Sequence, residues 1–94
     1  MKHLTIDDIK IPKPDLSSAK AKKGEIITQW LIDWVKYSLE HGLADVGDFI
    51  PQKEHWALFF DVSSATVQNS IRQVKNLGYF SSKQSLGTCI SDFY

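Results

Sequence analysis

Residues 25–41 carry apolar side chains around more of a helix than one face can use. Ile27, Trp30, Leu31, Trp34 and Ser38 recur at steps of three and four, which lines them along one helical face. Thr28, Ile32, Val35 and Leu39 form a second stripe beside it. A helix apolar over so wide an arc has to be covered on two sides. The residues leave three covers open: the rest of the domain, the N-terminal stretch, or a partner surface on Ile32, Val35 and Leu39. Gly42, just after His41, is a helix stop.

The chain has 94 residues, which suits one small domain with no room for a cofactor-binding half beside a catalytic half. Eleven Lys+Arg balance eleven Asp+Glu at a net charge of zero. That argues against a polybasic nucleic-acid or membrane binder along the whole chain, while leaving room for local charge. The longest apolar run is residues 56–60, far short of the ~20 residues that span a bilayer. Asp7 and Asp8 lie where a signal peptide would have its apolar stretch. Cys89 is the single cysteine, so the chain has neither an intrachain disulfide nor a cysteine-rich zinc site. The expectation is a soluble, reduced, cytoplasmic protein.

Local charge is uneven. Residues 1–23 hold Lys2, Lys10, Lys13, Lys20, Lys22 and Lys23 against Asp7, Asp8 and Asp15, a surplus of +3, and residues 24–94 carry −3. Pro12 and Pro14 forbid regular helix there. Residues 1–22 therefore read as a flexible basic arm and residues 23–94 as the domain. Two further uses of the arm are open: its lysines touching phosphate, or Leu4, Ile6, Ile9 and Ile11 docking on the domain.

After Gly42 the chain is rich in turns. Gly47-Asp48 leads into a very short strand at Phe49-Ile50, which Pro51 ends. A short helix over 53–60 follows, with Trp56, Ala57 and Phe60 on one face. Asp61-Val62-Ser63 breaks it, and Ser63 is a good N-cap for the next helix, 64–77. Val67, Ser70, Ile71, Val74 and Leu77 form its core face, against Trp30 and Trp34 of the first helix. Ala65, Gln68, Asn69, Arg72 and Asn76 lie opposite. A core Ile71→Ala would cost about 2–5 kcal/mol. Gly78 ends the helix, and residues 79–83 and 88–93 read as two strands around Gln84-Ser85-Leu86-Gly87. The fold expected is α+β, mostly α: a winged helix-turn-helix of three helices plus a C-terminal β-hairpin wing, 79–93.

The series Gly47-Asp48-Phe49-Ile50-Pro51, Ala57, Val62-Ser63, Thr66-Val67, Ile71, Val74, Gly78-Tyr79-Phe80 and Gly87-Thr88-Cys89-Ile90 resembles the winged-helix domain of GntR-type bacterial transcription regulators. The spacing holds without a gap from Gly47 to Ile90, and helix 25–41 takes the place of the family's first helix. The resemblance covers about residues 25–93. It implies sequence-specific binding of double-stranded DNA in transcriptional control, with helix 64–77 in the major groove. It also implies a bacterial, nucleoid-associated setting and a C-terminal effector and dimerisation domain. This chain stops near the wing, so it reads as a fragment or a stand-alone module, with an effector ligand only if such a domain exists outside it.

The chain departs from the family pattern at charged positions. Gln52-Lys53 stands for Ser-Glu after the proline, Ser64 and Gln68 replace two arginines, Leu77 replaces a glutamate, and Ser85-Leu86-Gly87 replaces the Gly-x-Gly wing tip. In the family those arginines contact bases and phosphates, and losing both costs on the order of 2–6 kcal/mol at about 1–3 each. In the DNA reading, Gln68 and Asn69 read adenine through their carboxamides. Ser63, Ser64 and Thr66 bond phosphates, Ala65 lies on the same face, and Lys53, Arg72 and Lys83 supply charge. Gln84 approaches the minor groove. The alternative is a winged-helix protein-interaction module that has lost its DNA chemistry, meeting a partner through Trp56, Phe59, Tyr79, Phe80, Phe93, Tyr94 and the stripe Ile32-Val35-Leu39.

An enzyme is not expected, nor any cofactor or metal. His3, His41 and His55 lack a ligand spacing, and adjacent helical residues such as Glu54 and His55 do not face each other. Cys89 reads as a buried, inert thiol. Assembly as a monomer or weak homodimer is expected, the stripe being the evident dimer surface.

Overall fold

The computed structural model of the protein describes residues 3–16, 22–83 and 87–91. A 3₁₀ turn at Ile6–Asp8 precedes α1 (Lys23–Glu40), α2 (Lys53–Phe60), α3 (Ser64–Asn76), β1 (Phe80–Lys83) and β2 (Gly87–Ile90). The strands pair antiparallel, from Phe80 opposite Ile90 to Lys83 opposite Gly87. Three helices followed by this hairpin are the α+β arrangement of a winged helix-turn-helix.

Each boundary has a local cause. Ser63 is extended, and its Oγ accepts from the Thr66 amide at 3.3 Å. That bond satisfies one of the free donors that start a helix. Ser63→Ala is expected to lower stability by about 1 kcal/mol. Urea melts should show an earlier midpoint at unchanged slope, and an unchanged midpoint would mean the cap contributes nothing. Asp61 holds the tight turn between α2 and α3 in the left-handed region, at φ 58°, where short polar side chains are tolerated. Gly78 closes α3 at φ +95°, a conformation that strains any other residue.

α3 seats on α1 through Val67, Ser70 and Val74, all fully buried. Ser70 Oγ donates to the Gly24 carbonyl at 2.9 Å, and Thr28 Oγ1 donates to the same oxygen at 2.8 Å. The small serine lets the helices approach while its hydroxyl stays bonded. Ile71 is half-buried at the rim, so Ile71→Ala costs less than a core deletion, about 1–2 kcal/mol. Leu77 is 61 % exposed, against its placement on the core face. α3 ends at Asn76, and Leu77 belongs to the turn into Gly78.

The centre of the core is aromatic. Trp34 and Trp56 cross edge to face at 5.2 Å between ring centroids, and Trp30 and Phe60 close around Trp56 at 5.8 and 5.5 Å.

The N-terminal stretch adds to the cover of α1 at Trp30, on its first stripe, while Thr28 of the second stripe meets Gln73 of α3. Trp30 Nε1 donates to the Pro12 carbonyl at 2.7 Å. Leu4 is 4 % exposed within the core, against which Ile6, Ile9, Ile11 and Leu16 pack. Residues 3–16 are thus a docked part of the domain and not a flexible arm; their apolar side chains outweigh the local effect of two prolines. Ile32 and Val35 are buried in the same core and Leu39 is half-buried. The stripe Ile32-Val35-Leu39 is consumed inside the monomer and offers no free partner surface. Trp56 and Phe80 are likewise buried, and Phe59 and Tyr79 half-buried.

Phe49 forms the short strand expected before Pro51. It bridges antiparallel to Cys89 and parallel to His3. The Ile50 amide donates to the Thr88 carbonyl, and the Ile90 amide to the Asp48 carbonyl, each at 2.9 Å. β2 therefore lies between β1 and the Phe49 segment, with residues 3 and 4 at the outer edge. Residues 92–94, including Phe93 and Tyr94, lie outside the described residues. No helix among the described residues is long and apolar enough to cross a membrane.

Candidate nucleic-acid interface

The amphipathic pattern of α3 sets its outer face. Ser64, Ala65, Gln68, Asn69 and Arg72 are all exposed, one turn after another, while Val67, Ser70 and Val74 hold the opposite side in the core. The helix-turn-helix angle then brings the start of α2 beside the middle of α3. Lys53, in the first turn of α2, donates from Nζ to Gln68 Oε1 at 3.2 Å. At the other end, Lys75 Nζ donates to Ser82 Oγ of β1 at 2.7 Å, which ties α3 to the wing.

Between these ties lies an open cleft of about 490 Å³. Gln52 and Lys53 of the α2 start, Gln68, Arg72 and Lys75 of α3, and Thr88 of β2 line it. Lys53, Arg72 and Lys75 face it with three positive charges and Glu54 with one negative. The cleft thus combines guanidinium and ammonium groups with neutral amide and hydroxyl donors, the inventory that binds phosphate oxygens.

The described residues among those expected to contact DNA divide into three groups. Lys53, Gln68 and Arg72 converge on the cleft. Ser64, Ala65 and Asn69 are exposed on α3 outside the cleft lining, and Lys83 is exposed at the end of β1. Ser63 and Thr66 are committed to the cap: their hydroxyls lie 3.0 Å apart, and Ser63 also holds the Thr66 amide. Gln84 lies outside the described residues. Gln68 meets Lys53 through one lone pair of Oε1, which leaves a second lone pair and both amide hydrogens for further hydrogen bonds.

Gln52, Thr88 and His3 are cleft residues that reasoning from helix periodicity did not reach. Thr88 belongs to the series that carries the resemblance, and Gln52 stands at one of the departures from it. His3 had no such signal, because it reaches the cleft only through pairing with Phe49.

Cys89 is buried in β2, with Sγ 3.4 Å from Ser81 Oγ. Among the described residues no group of three or more His, Cys, Asp or Glu is placed to hold a metal ion. No protein-family model matches the chain, and no curated protein matches it significantly.

Proposed function

We propose that this domain binds double-stranded DNA as a GntR-like transcription regulator, with α3 in the major groove and the β1–β2 hairpin as the wing. The observation that carries the reading is the convergence of Lys53, Arg72 and Lys75 on a cleft between the exposed face of α3 and the wing. Lys53, Arg72, Lys75 and Lys83 hold phosphates and set the register, while Gln68 and Asn69 meet base edges. A cytoplasmic setting goes with this role, and the role needs no cofactor and no catalytic step.

The test is a salt series on random duplex DNA, with a size measurement on the same sample. Four neutralised phosphates give a log–log slope near −3.6, at about −0.9 each. A domain with so few charges binds random duplex at roughly 10⁻⁴ to 10⁻⁵ M at physiological salt. No duplex binding at ~50 mM salt, where electrostatic attraction is strongest, overturns the proposal.

One observation favours a second reading, a protein-interaction module. Leu58 on α2 is 82 % exposed and borders an apolar groove with Ile6 and Phe59, beside Lys13 and His55. Under this reading the duplex gives no signal at any salt, and Leu58→Glu weakens binding of a protein partner without changing the melting profile.

A further inference from the structure

The N-terminal segment carries an imidazole to the edge of the cleft. The Leu4 amide donates to the Phe49 carbonyl at 2.8 Å, and His3 bridges Phe49 in parallel. The His3 ring stacks on the Phe49 ring, with centroids 4.8 Å apart and planes 14° apart. Leu4 anchors the next position in the core. His3 is itself exposed, yet it lines the same cleft as Lys53, Gln68, Arg72 and Lys75. Phe49 bridges on its other side to Cys89 of β2. The imidazole and the wing are therefore held on one hydrogen-bonded frame.

We propose that His3 is a phosphate-contacting residue of this face, and that its imidazolium makes the contact, so that duplex binding strengthens as pH falls. The inference rests on the DNA reading above and adds a pH response to it. Among the described residues, the charged groups facing the cleft with His3 are Lys53 and Glu54 from α2 and Arg72 and Lys75 from α3; β2 contributes the uncharged Thr88. A phosphate entering the cleft favours the charged ring over the neutral one, because an opposite charge nearby stabilises the ionised form. Binding thereby takes up a proton. Imidazole side chains as a class change charge between about pH 5 and 8, and the two pH values of the test lie near the ends of that range. Stacking on Phe49 leaves the ring edge, which bears both nitrogens, to donate to a phosphate oxygen.

The experiment is the salt series on random duplex with the full chain at about pH 8 and about pH 5.5, for the wild type, His3→Gln and His3→Lys. The wild-type slope is expected to steepen by about 0.9 at the lower pH, one further counterion released. His3→Gln is expected to keep the shallow slope at both values. His3→Lys should show the steep slope at both, although it lacks the ring that stacks on Phe49, which separates charge from packing. His41 and His55 are present in every variant, so any contribution they make is common to all three. Tryptophan fluorescence and circular dichroism confirm equal folding. A wild-type slope that does not change with pH, or a His3→Gln slope that steepens as the wild type does, overturns the role of His3 while leaving the DNA reading standing. Absence of duplex binding at both pH values overturns the DNA reading and this inference together.

Discussion

Trp56→Ala is expected to lower the stability of the domain by about 3–5 kcal/mol, the range for deleting a large buried aromatic. Trp56 is completely buried, and its ring meets Trp34, Trp30, Phe59 and Phe60 at centroid distances of 5.2 to 5.8 Å. These neighbours come from two helices, and all but the half-buried Phe59 are themselves buried, so the void has little freedom to collapse. Small domains have roughly 5–10 kcal/mol in all, and the variant should sit near its unfolding midpoint at ordinary temperature. Trp56→Phe is the informative companion. The Trp56 Nε1 hydrogen has no hydrogen-bond acceptor among the described residues, so phenylalanine removes an unsatisfied donor while keeping most of the ring. Its loss should be smaller than that of alanine by about 2 kcal/mol or more. Urea denaturation followed by far-ultraviolet circular dichroism measures both. A Trp56→Ala loss below ~1 kcal/mol would show the centre of the aromatic cluster to be wrongly placed, since changes that small belong to surfaces.

Removing Lys53 and Arg72 together is expected to have the largest effect on DNA. Each neutralised phosphate contributes about −0.9 to the salt slope, so the double alanine variant should fall from near −3.6 to near −1.8. At physiological salt its affinity for every duplex should drop at least ~100-fold, two charge-assisted hydrogen bonds being lost at about 1.5–3 kcal/mol each. Gln68→Ala with Asn69→Ala should behave differently. Discrimination between sequences should fall by about 1–3 kcal/mol per lost base pairing, at an unchanged slope. Lys53 is the residue where the two effects meet, because its ammonium also holds Gln68 Oε1. Lys53→Ala alone should flatten the slope by about one unit and relax discrimination at the base facing Gln68. An unchanged slope in the double variant would put the bound phosphates elsewhere than the cleft.

What could be read from residue order was what residue order determines locally. The α2 bounds, the Ser63 cap, the Asp61–Ser63 break, the exposed row on α3 and the short strand before Pro51 follow from side chains within a few positions of one another. The two stripes on α1 also foretold two covers, but not which of the three candidates would provide the second. That choice is tertiary. Pro12 and Pro14 argue locally for an irregular arm, whereas Leu4, Ile6, Ile9 and Ile11 find their place only once α1 and α2 stand together. Leu77 fits the periodicity of α3 and misses the core because the helix has already ended. Within the candidate site, Lys53, Gln68 and Arg72 were legible because helical spacing and the turn bring them together. His3 was not, since a parallel bridge to Phe49 leaves no mark in either stretch alone.

That bridge has a kinetic consequence. At Phe49 the backbone joins three stretches far apart in sequence, residues 3 and 4, the strand itself and β2. The helix pair α2–α3 closes over a three-residue break, so its contacts form at little cost in chain entropy. The edge at His3 gains its pairing only after both long loops have closed. The order of assembly that follows is helices first, hairpin next and N-terminal segment last. Substitutions at Leu4 should then speed unfolding while leaving the folding rate nearly unchanged, as they do at positions that are unformed in the transition state. The residue proposed to sense pH would thus ride on the last part of the domain to assemble, and opening of the cleft edge would withdraw Leu4 from the core.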